Sequence, residues 1–248
     1  MEILNISNLC YSNIIKGLNM SLNSNGFNII LGKNTSGKTT LVELILNMHK
    51  YTGIINISLS PDKIGVVTQN NSFIDGNVLD NLIFPLENLK VDNPKSIVYN
   101  FANMFDVDRI LYKEIEELNF SEKKIIQILM SIIHKPKFII IDDQLDDLEY
   151  KYRVKVLNYL KEISKHICVL MLVSSSYCLK YADNIFLFND GVIVKKIKFD
   201  DLIDEEKLLA KMNVSIPFLY DLQNKLKFYN VLDEKYKSID EVVKRIWK

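Results

Sequence analysis

Short apolar runs alternate with stretches of helical period along this chain. Residues 27–31 form a short run that is apolar apart from Asn28, with Gly26 before it and Gly32 after, which predicts a buried strand. Residues 39–48 place Leu41, Leu44, Ile45 and Met48 at helical spacing. Ile64–Val67 reads as another strand. Residues 138–141 and Cys168–Val173 are unbroken apolar runs, the pattern of central strands covered on both faces. Residues 185–188 and 192–194 flank Asn189-Asp190-Gly191, a strong hairpin signal. The alternation predicts an α/β fold with a mainly parallel sheet covered by helices.

Residues 75–135 differ, being helical in period with no strand-like run until Phe138. The chain therefore divides into a sheet core over 1–74 and 136–200, an inserted helical subdomain over 75–135, and a small helical C-terminal extension over 201–248. In the extension, residues 204–212 read as a helix, and Pro217 opens another that runs to about Phe228. Ser238-Ile-Asp-Glu241 is a capping box for a last helix, with Val242, Val243 and Ile246 on one side. Neither an internal repeat nor a low-complexity linker interrupts the pattern.

Composition narrows the function classes. Apolar residues make up 48% of the 248, enough for a core and too many for a disordered chain. Basic and acidic residues balance at 31 each, which argues against a general nucleic-acid binder, since that needs a basic field. No apolar run approaches the length of a membrane helix, and the first residues do not read as a secretory signal. Cys10, Cys168 and Cys178 are too scattered for a disulfide framework or a zinc site, which fits a reducing compartment. Three arginines and three alanines against many Ile, Asn and Lys reflect base composition, so a lysine run here is weak evidence of a site.

The chemistry begins at Gly32-Lys33-Asn34-Thr35-Ser36-Gly37-Lys38-Thr39, which fits G-x-x-x-x-G-K-[ST] in full. A strand precedes it and an amphipathic helix follows, so a chance glycine turn is set aside. Glycines let the backbone curl so that several N–H groups face one phosphate, and the helix N-terminus adds positive potential. Lys38 is expected to reach the β- and γ-phosphates of a nucleoside triphosphate and the Thr39 hydroxyl to ligate Mg²⁺, with Thr40 next in line. The strand over 138–141 ends in Asp142 and Asp143. Asp142 is placed to hold the metal and Asp143 to polarise an attacking water; an acid satisfied by solvent at a strand end is the alternative for each.

The order of motifs then becomes specific. After the phosphate loop come a lone glutamine following a strand (Val66-Val-Thr-Gln69), the helical insert, and a Leu-Asn-Phe-Ser-Glu-Lys-Lys turn ahead of Asp142. This resembles the ATPase subunit of an ABC transporter, a P-loop NTPase, over about residues 1–200. The resemblance implies that Gln69 reaches Mg²⁺ and the attacking water. It places the family's L-S-G-G-Q signature on residues 118–122, and so gives Asn119, Ser121 and Glu122 to the nucleotide of a second subunit. It places the dimer-contact loop on Asp146-Asp-Leu-Glu149. Val173 to Ser176, Tyr181-Ala-Asp183 and the Asn-Asp-Gly hairpin match the family's last sheet segment. For the aromatic that stacks on adenine, Tyr11 is the nearest candidate, Asn13 the alternative by spacing, and a core or surface tyrosine the plain reading.

Gln69-Asn-Asn, then Gly76-Asn-Val-Leu-Asp-Asn-Leu-Ile-Phe-Pro-Leu-Glu-Asn-Leu, and the tail around Val214-Ser-Ile-Pro-Phe-Leu are similar to the energy-coupling factor (ECF) ATPases. Those importers carry vitamins or cobalt and nickel ions. The likeness implies two ATPase subunits, here a heterodimer, with a membrane coupling subunit and a membrane substrate-binding subunit. It implies a peripheral position on the cytoplasmic face of the cell membrane.

Three departures from the family pattern stand out. Asn119 replaces the signature serine, and Phe120 and Ser121 replace both glycines. Asp143 replaces the usual glutamate base, and a misplacement of roughly 1 Å can cost ~10²-fold in rate. Ser175 replaces the switch histidine, and none of His49, His134 or His166 falls there. These breaks spare phosphate and metal binding and fall on the elements that fire hydrolysis. The expectation is an ATPase with attenuated hydrolysis at its own site. A non-hydrolysing nucleotide-sensing module and a soluble ABC ATPase acting on ribosomes or DNA are the rivals.

Overall fold

A computed structural model describes the chain apart from residues 69–72, 143, 144, 147, 215, 216, 230, 232–235, 237, 238 and 248. Its centre is a six-stranded sheet ordered β5-β6-β7-β3-β8-β9, built from β3 (Gly26–Leu31), β5 (Ile64–Val67), β6 (Phe138–Asp142), β7 (Cys168–Val173), β8 (Asn184–Asn189) and β9 (Val192–Ile197). All neighbours are parallel except β8 and β9. Every residue of β6 and β7 is buried, as expected of parallel strands covered on both faces. Alternate residues feed two cores. Ile29, Leu31, Ile139, Ile141, Val169 and Met171 point into one, and Ile30, Phe138, Ile140, Leu170 and Leu172 into the other. The β8–β9 hairpin turns through Asp190 (φ 46°) and Gly191 (φ 85°), the two positive φ values of a type I′ turn.

One face of the sheet is covered by α1 (Lys38–Ile45) and by a second, antiparallel sheet, β2-β1-β4. That sheet comprises β1 (Glu2–Tyr11), β2 (Ile15–Asn23) and β4 (Thr52–Ile57), which the apolar pattern did not announce. Helix α1 stops at Ile45, short of the expected Met48. Asn47 takes a left-handed φ of 58°, which ends the helix and leaves Met48 65% exposed.

The other face carries α2 (Val78–Asn88), α3 (Pro94–Phe105), α4 (Phe120–Ile132) and α5 (Tyr150–Ile163). Their apolar sides share one continuous core with the sheet, through Leu82, Leu86, Phe101, Phe105, Ile125, Leu129 and Val156. Asn77 caps α2 by accepting from the Asp80 N–H at 3.0 Å. Beyond the sheet lie α6 (Glu206–Lys211), α7 (Phe218–Phe228) and α8 (Ile239–Ile246). The helix expected over 204–212 starts two residues later, because residues 199–205 wind as a tighter 3₁₀ turn. Pro217 does stand at the start of α7. Ser238 lies outside the described residues. In α8 Val242 is buried, but Val243 and Ile246 are 45% and 44% exposed, so the expected common apolar side is not packed as one.

Candidate nucleotide site

The phosphate loop leaves β3 at the carboxyl edge of the parallel sheet, where such folds bind ligands. Gly32 N–H donates to the Val173 carbonyl at 3.1 Å, which extends the β3–β7 ladder by one rung. A Cβ at Gly32 would sit 2.4 Å from the Phe188 carbonyl oxygen, so only glycine lets the loop leave the sheet here. Ser36 N–H then closes a turn on the Lys33 carbonyl at 3.2 Å. Gly37, at φ 101°, starts α1 with no side chain capping it, so the first amides of α1 have no intrahelical acceptor.

A cavity of about 350 Å³ opens at this point. It is lined by Ile14, Asn34, Thr35, Gly37, Lys38, Thr39, Thr40 and Asp142. Lys38 Nζ donates to the Gly32 carbonyl at 2.8 Å and the Lys33 carbonyl at 3.0 Å, which folds its side chain back over the loop. Asp142, 1% exposed, reaches the cavity from the end of β6, whose neighbour β7 pairs Leu172 with it. Ser36 Oγ is buried with no hydrogen-bond partner among the described residues. The site fits a Mg–nucleotide: an uncapped helix start, a buried orphan hydroxyl and a lysine for phosphate, and Thr39 with Asp142 as hard oxygen donors for Mg²⁺. Among the described residues there is no cluster of three His, Cys, Asp or Glu that could hold a metal by itself.

The other expected site residues are placed as follows. Gln69 and Asp143 lie outside the described residues. Tyr11 stacks on His49 with ring centroids 5.4 Å apart. The side chain that lines the cavity from the β1–β2 turn is Ile14, and its Cγ2 lies 3.0 Å from where a Cβ on Gly37 would be. An aliphatic residue in a turn carries no chemical signature, so the sequence offered no cue to it. Ser175 Oγ donates to Asp146 Oδ2 at 2.9 Å. Lys33 pairs with Asp190 at 3.2 Å, which ties the phosphate loop to the β8–β9 turn.

Asn119, Ser121 and Glu122 do not line the cavity. They form the first turn of α4, where Asn119 Oδ1 accepts from Glu122 N–H at 2.8 Å and Glu122 Oε2 accepts from Asn119 N–H at 2.9 Å. This reciprocal capping box satisfies the start of the helix and puts a carboxylate there. Phe120 projects from the same turn and is 64% exposed. Lys124 lies beneath its ring, 5.9 Å from the centroid.

Comparisons with known proteins show which family and fold the chain shares. The sequence profile of the family described as "ABC transporter" matches residues 15–146. The chain is 28% identical to the energy-coupling factor transporter ATP-binding protein EcfA1 of Oenococcus oeni, over 100% of this chain and 98% of that protein. It is 27% identical to the energy-coupling factor transporter ATP-binding protein EcfA of Pediococcus pentosaceus, over 88% of this chain and 86% of that one. In fold it superposes on cbiO1 from Clostridium perfringens, described as part of the ABC transporter complex cbiONQ. The TM-score is 0.72 at 22% identity, over 90% of this chain and 99% of that chain.

Proposed function

The chain belongs to the ABC transporter family as one of its ATPases, and on that footing we propose that it is the ATP-binding subunit of an ECF-type importer. The observation that carries the reading is the meeting of Lys38, Thr39 and Asp142 on one cavity at the carboxyl edge of the sheet. The full-length likeness to ECF ATP-binding proteins, C-terminal helices included, supports the ECF assignment over a generic ABC ATPase. The cargo is a vitamin or a transition-metal ion. The partners are a second, different ATPase subunit, a membrane coupling subunit and a membrane substrate-binding subunit. The protein sits on the cytoplasmic face of the membrane; among the described residues no helix is long and apolar enough to cross it.

Within the cavity each residue has a defined part. The loop amides and Lys38 hold the phosphates, and Thr39 and Asp142 hold Mg²⁺. The bound Mg–nucleotide supplies a terminal phosphoryl group open to attack by water. Gln69 and Asp143 orient and polarise that water. Hydrolysis at this site is attenuated. Asp143 is shorter than the family's glutamate, and Ser175 holds no proton to exchange near neutral pH and is bonded to Asp146. Phe120 and the capped, acidic start of α4 oppose close approach to a phosphate on a partner subunit, which weakens the partner's site as well.

Co-purification from the native cell tests the assembly. Recovery of a second ATPase and a membrane coupling protein is the expected result, and recovery of ribosomes or DNA would overturn it. The replaced signature and switch residues also favour a non-hydrolysing nucleotide sensor as a second reading. Turnover by the purified complex that is lost in Lys38→Ala excludes that second reading.

A further inference from the structure

One residue that lines the phosphate cavity is strained. Thr35 takes a left-handed φ of 67°. A β-branched side chain rarely adopts that conformation, and such strain persists only where the surroundings over-determine it. The surroundings act on Lys33, two residues earlier. Its carbonyl accepts from Lys38 Nζ at 3.0 Å and from the Ser36 N–H at 3.2 Å. Its side chain leads away from those bonds to the β8–β9 turn, where Nζ lies 3.2 Å from Asp190 Oδ1.

That turn is a fixed anchor. Asn189 Nδ2 donates to the other carboxylate oxygen of Asp190, Oδ2, at 3.1 Å. The Gly191 carbonyl accepts from the Lys16 N–H at 3.1 Å, and a Cβ on Gly191 would sit 1.9 Å from the Ile14 carbonyl oxygen. At the other end of the turn, the Phe188 carbonyl oxygen would meet a Cβ on Gly32 at 2.4 Å. Residues 188–191 are therefore seated against both the phosphate loop and the β1–β2 turn, the segments that give the cavity Thr35 and Ile14.

We propose that Asp190 is a positioning residue for nucleotide binding, which rests on the reading of the cavity as a nucleotide site. Asp190 does not line the cavity. It holds Lys33 to the sheet, and so holds the loop in the one shape that keeps Thr35 at positive φ. Without the ion pair Thr35 relaxes to negative φ, the peptide planes beside it turn, and fewer N–H groups face one phosphate. By charge alone, loss of a carboxylate beside the site of a polyanion raises affinity. Loss of the anchor acts in the opposite direction.

Titration calorimetry of the full-length chain with Mg-ADP and with the Mg²⁺ complex of a non-hydrolysable ATP analogue separates these effects. Asp190→Gly removes the carboxylate and keeps a residue that accepts the φ of 46° in the turn. It should weaken both nucleotides about threefold, within the range of an exposed ion pair, since the Lys33 and Asp190 side chains are 34% and 60% exposed. Both should weaken together, because both carry the phosphates that the loop amides cradle. In a Thr35→Gly background the left-handed φ carries no strain, and there Asp190→Gly should change affinity by less than ~1.5-fold. Melting without nucleotide reports that each variant is folded, and Asp190→Asn, which also suits the turn, serves the same comparison if Asp190→Gly is not. A merely structural role would lower the melting temperature at unchanged affinity, and a merely electrostatic one would raise affinity. Either result, or a threefold loss that persists in the Thr35→Gly background, would overturn the proposal and leave the nucleotide site standing. Failure of the wild-type chain to bind either nucleotide would instead overturn the site itself, and the proposal with it.

Discussion

Ser121 Oγ accepts a hydrogen bond from the backbone N–H of Glu149 at 2.8 Å, linking the start of α4 to the start of α5 across 28 positions. Glu149 stands exposed at the N-cap of α5, and Ser121 is buried. Ser121→Ala should cost about 0.5–1.5 kcal/mol, the net worth of a typical hydrogen bond. The midpoint of urea unfolding reads this directly, and an unchanged midpoint would show that solvent replaces the hydroxyl.

Gly32→Ala forces a methyl to 2.4 Å from the Phe188 carbonyl oxygen and 2.9 Å from Ser36 Oγ. The carbonyl belongs to β8 and cannot swing away as a flexible side chain would. The expected penalty is about 1–3 kcal/mol, as for other overpacked sites, with loss of Mg-ATP binding. Wild-type affinity in the variant would mean that the loop has another way off the sheet.

His134 gives a pH signature. Burial holds its pKa below the ordinary value near 6.5, against hydrogen bonds with the Ile64 and Met130 backbone that pull the other way. Its Nδ1 is buried with no partner among the described residues. The unfolded chain therefore takes up this proton at a higher pH than the folded one. The contribution of His134 is fully present above about pH 6.5, falls as pH drops below that value, and levels off at the folded pKa. His134→Gln should lessen the fall in melting temperature between pH 7.5 and 5.5. A fall as steep as in wild type would place the acid sensitivity elsewhere.

The central strands and the phosphate loop were legible because their causes are local. The apolar runs over 138–141 and Cys168–Val173 become buried strands because both faces of a parallel sheet are covered. The loop of residues 32–39 is set by glycines whose sterics act within a few residues. The N-terminal sheet was not legible. Register shifts in β1 and the left-handed Asn8 (φ 49°) break its alternation, and β4 is a largely exposed edge strand. Ile14 joins the cavity only through a contact between distant segments, which no spacing in the chain encodes.

Restoring the family residues tests the attenuated chemistry. General-base contributions are typically 10²–10⁴-fold, so Asp143→Glu with Ser175→His should raise turnover of the assembled complex at least about tenfold. Affinity for ATP should change little, because Lys38, Thr39 and Asp142 carry the phosphates and the metal. The rate must be measured with the partner's own base inactivated. A wild-type rate already at about one per second or more, unchanged by the double substitution, would show that Asp143 suffices.

Nucleotide binding by the phosphate loop underlies the proposed function, and thermal unfolding with and without millimolar Mg-ATP tests it most directly. A ligand at a hundred times its Kd adds about 2.7 kcal/mol, a rise of several degrees for a chain of this size. Wild type should show that rise only when Mg²⁺ and ATP are both present. Lys38→Ala, which removes the amine that folds over the loop carbonyls of Gly32 and Lys33, should abolish it. No rise in wild type, or an equal rise in Lys38→Ala, would contradict the account.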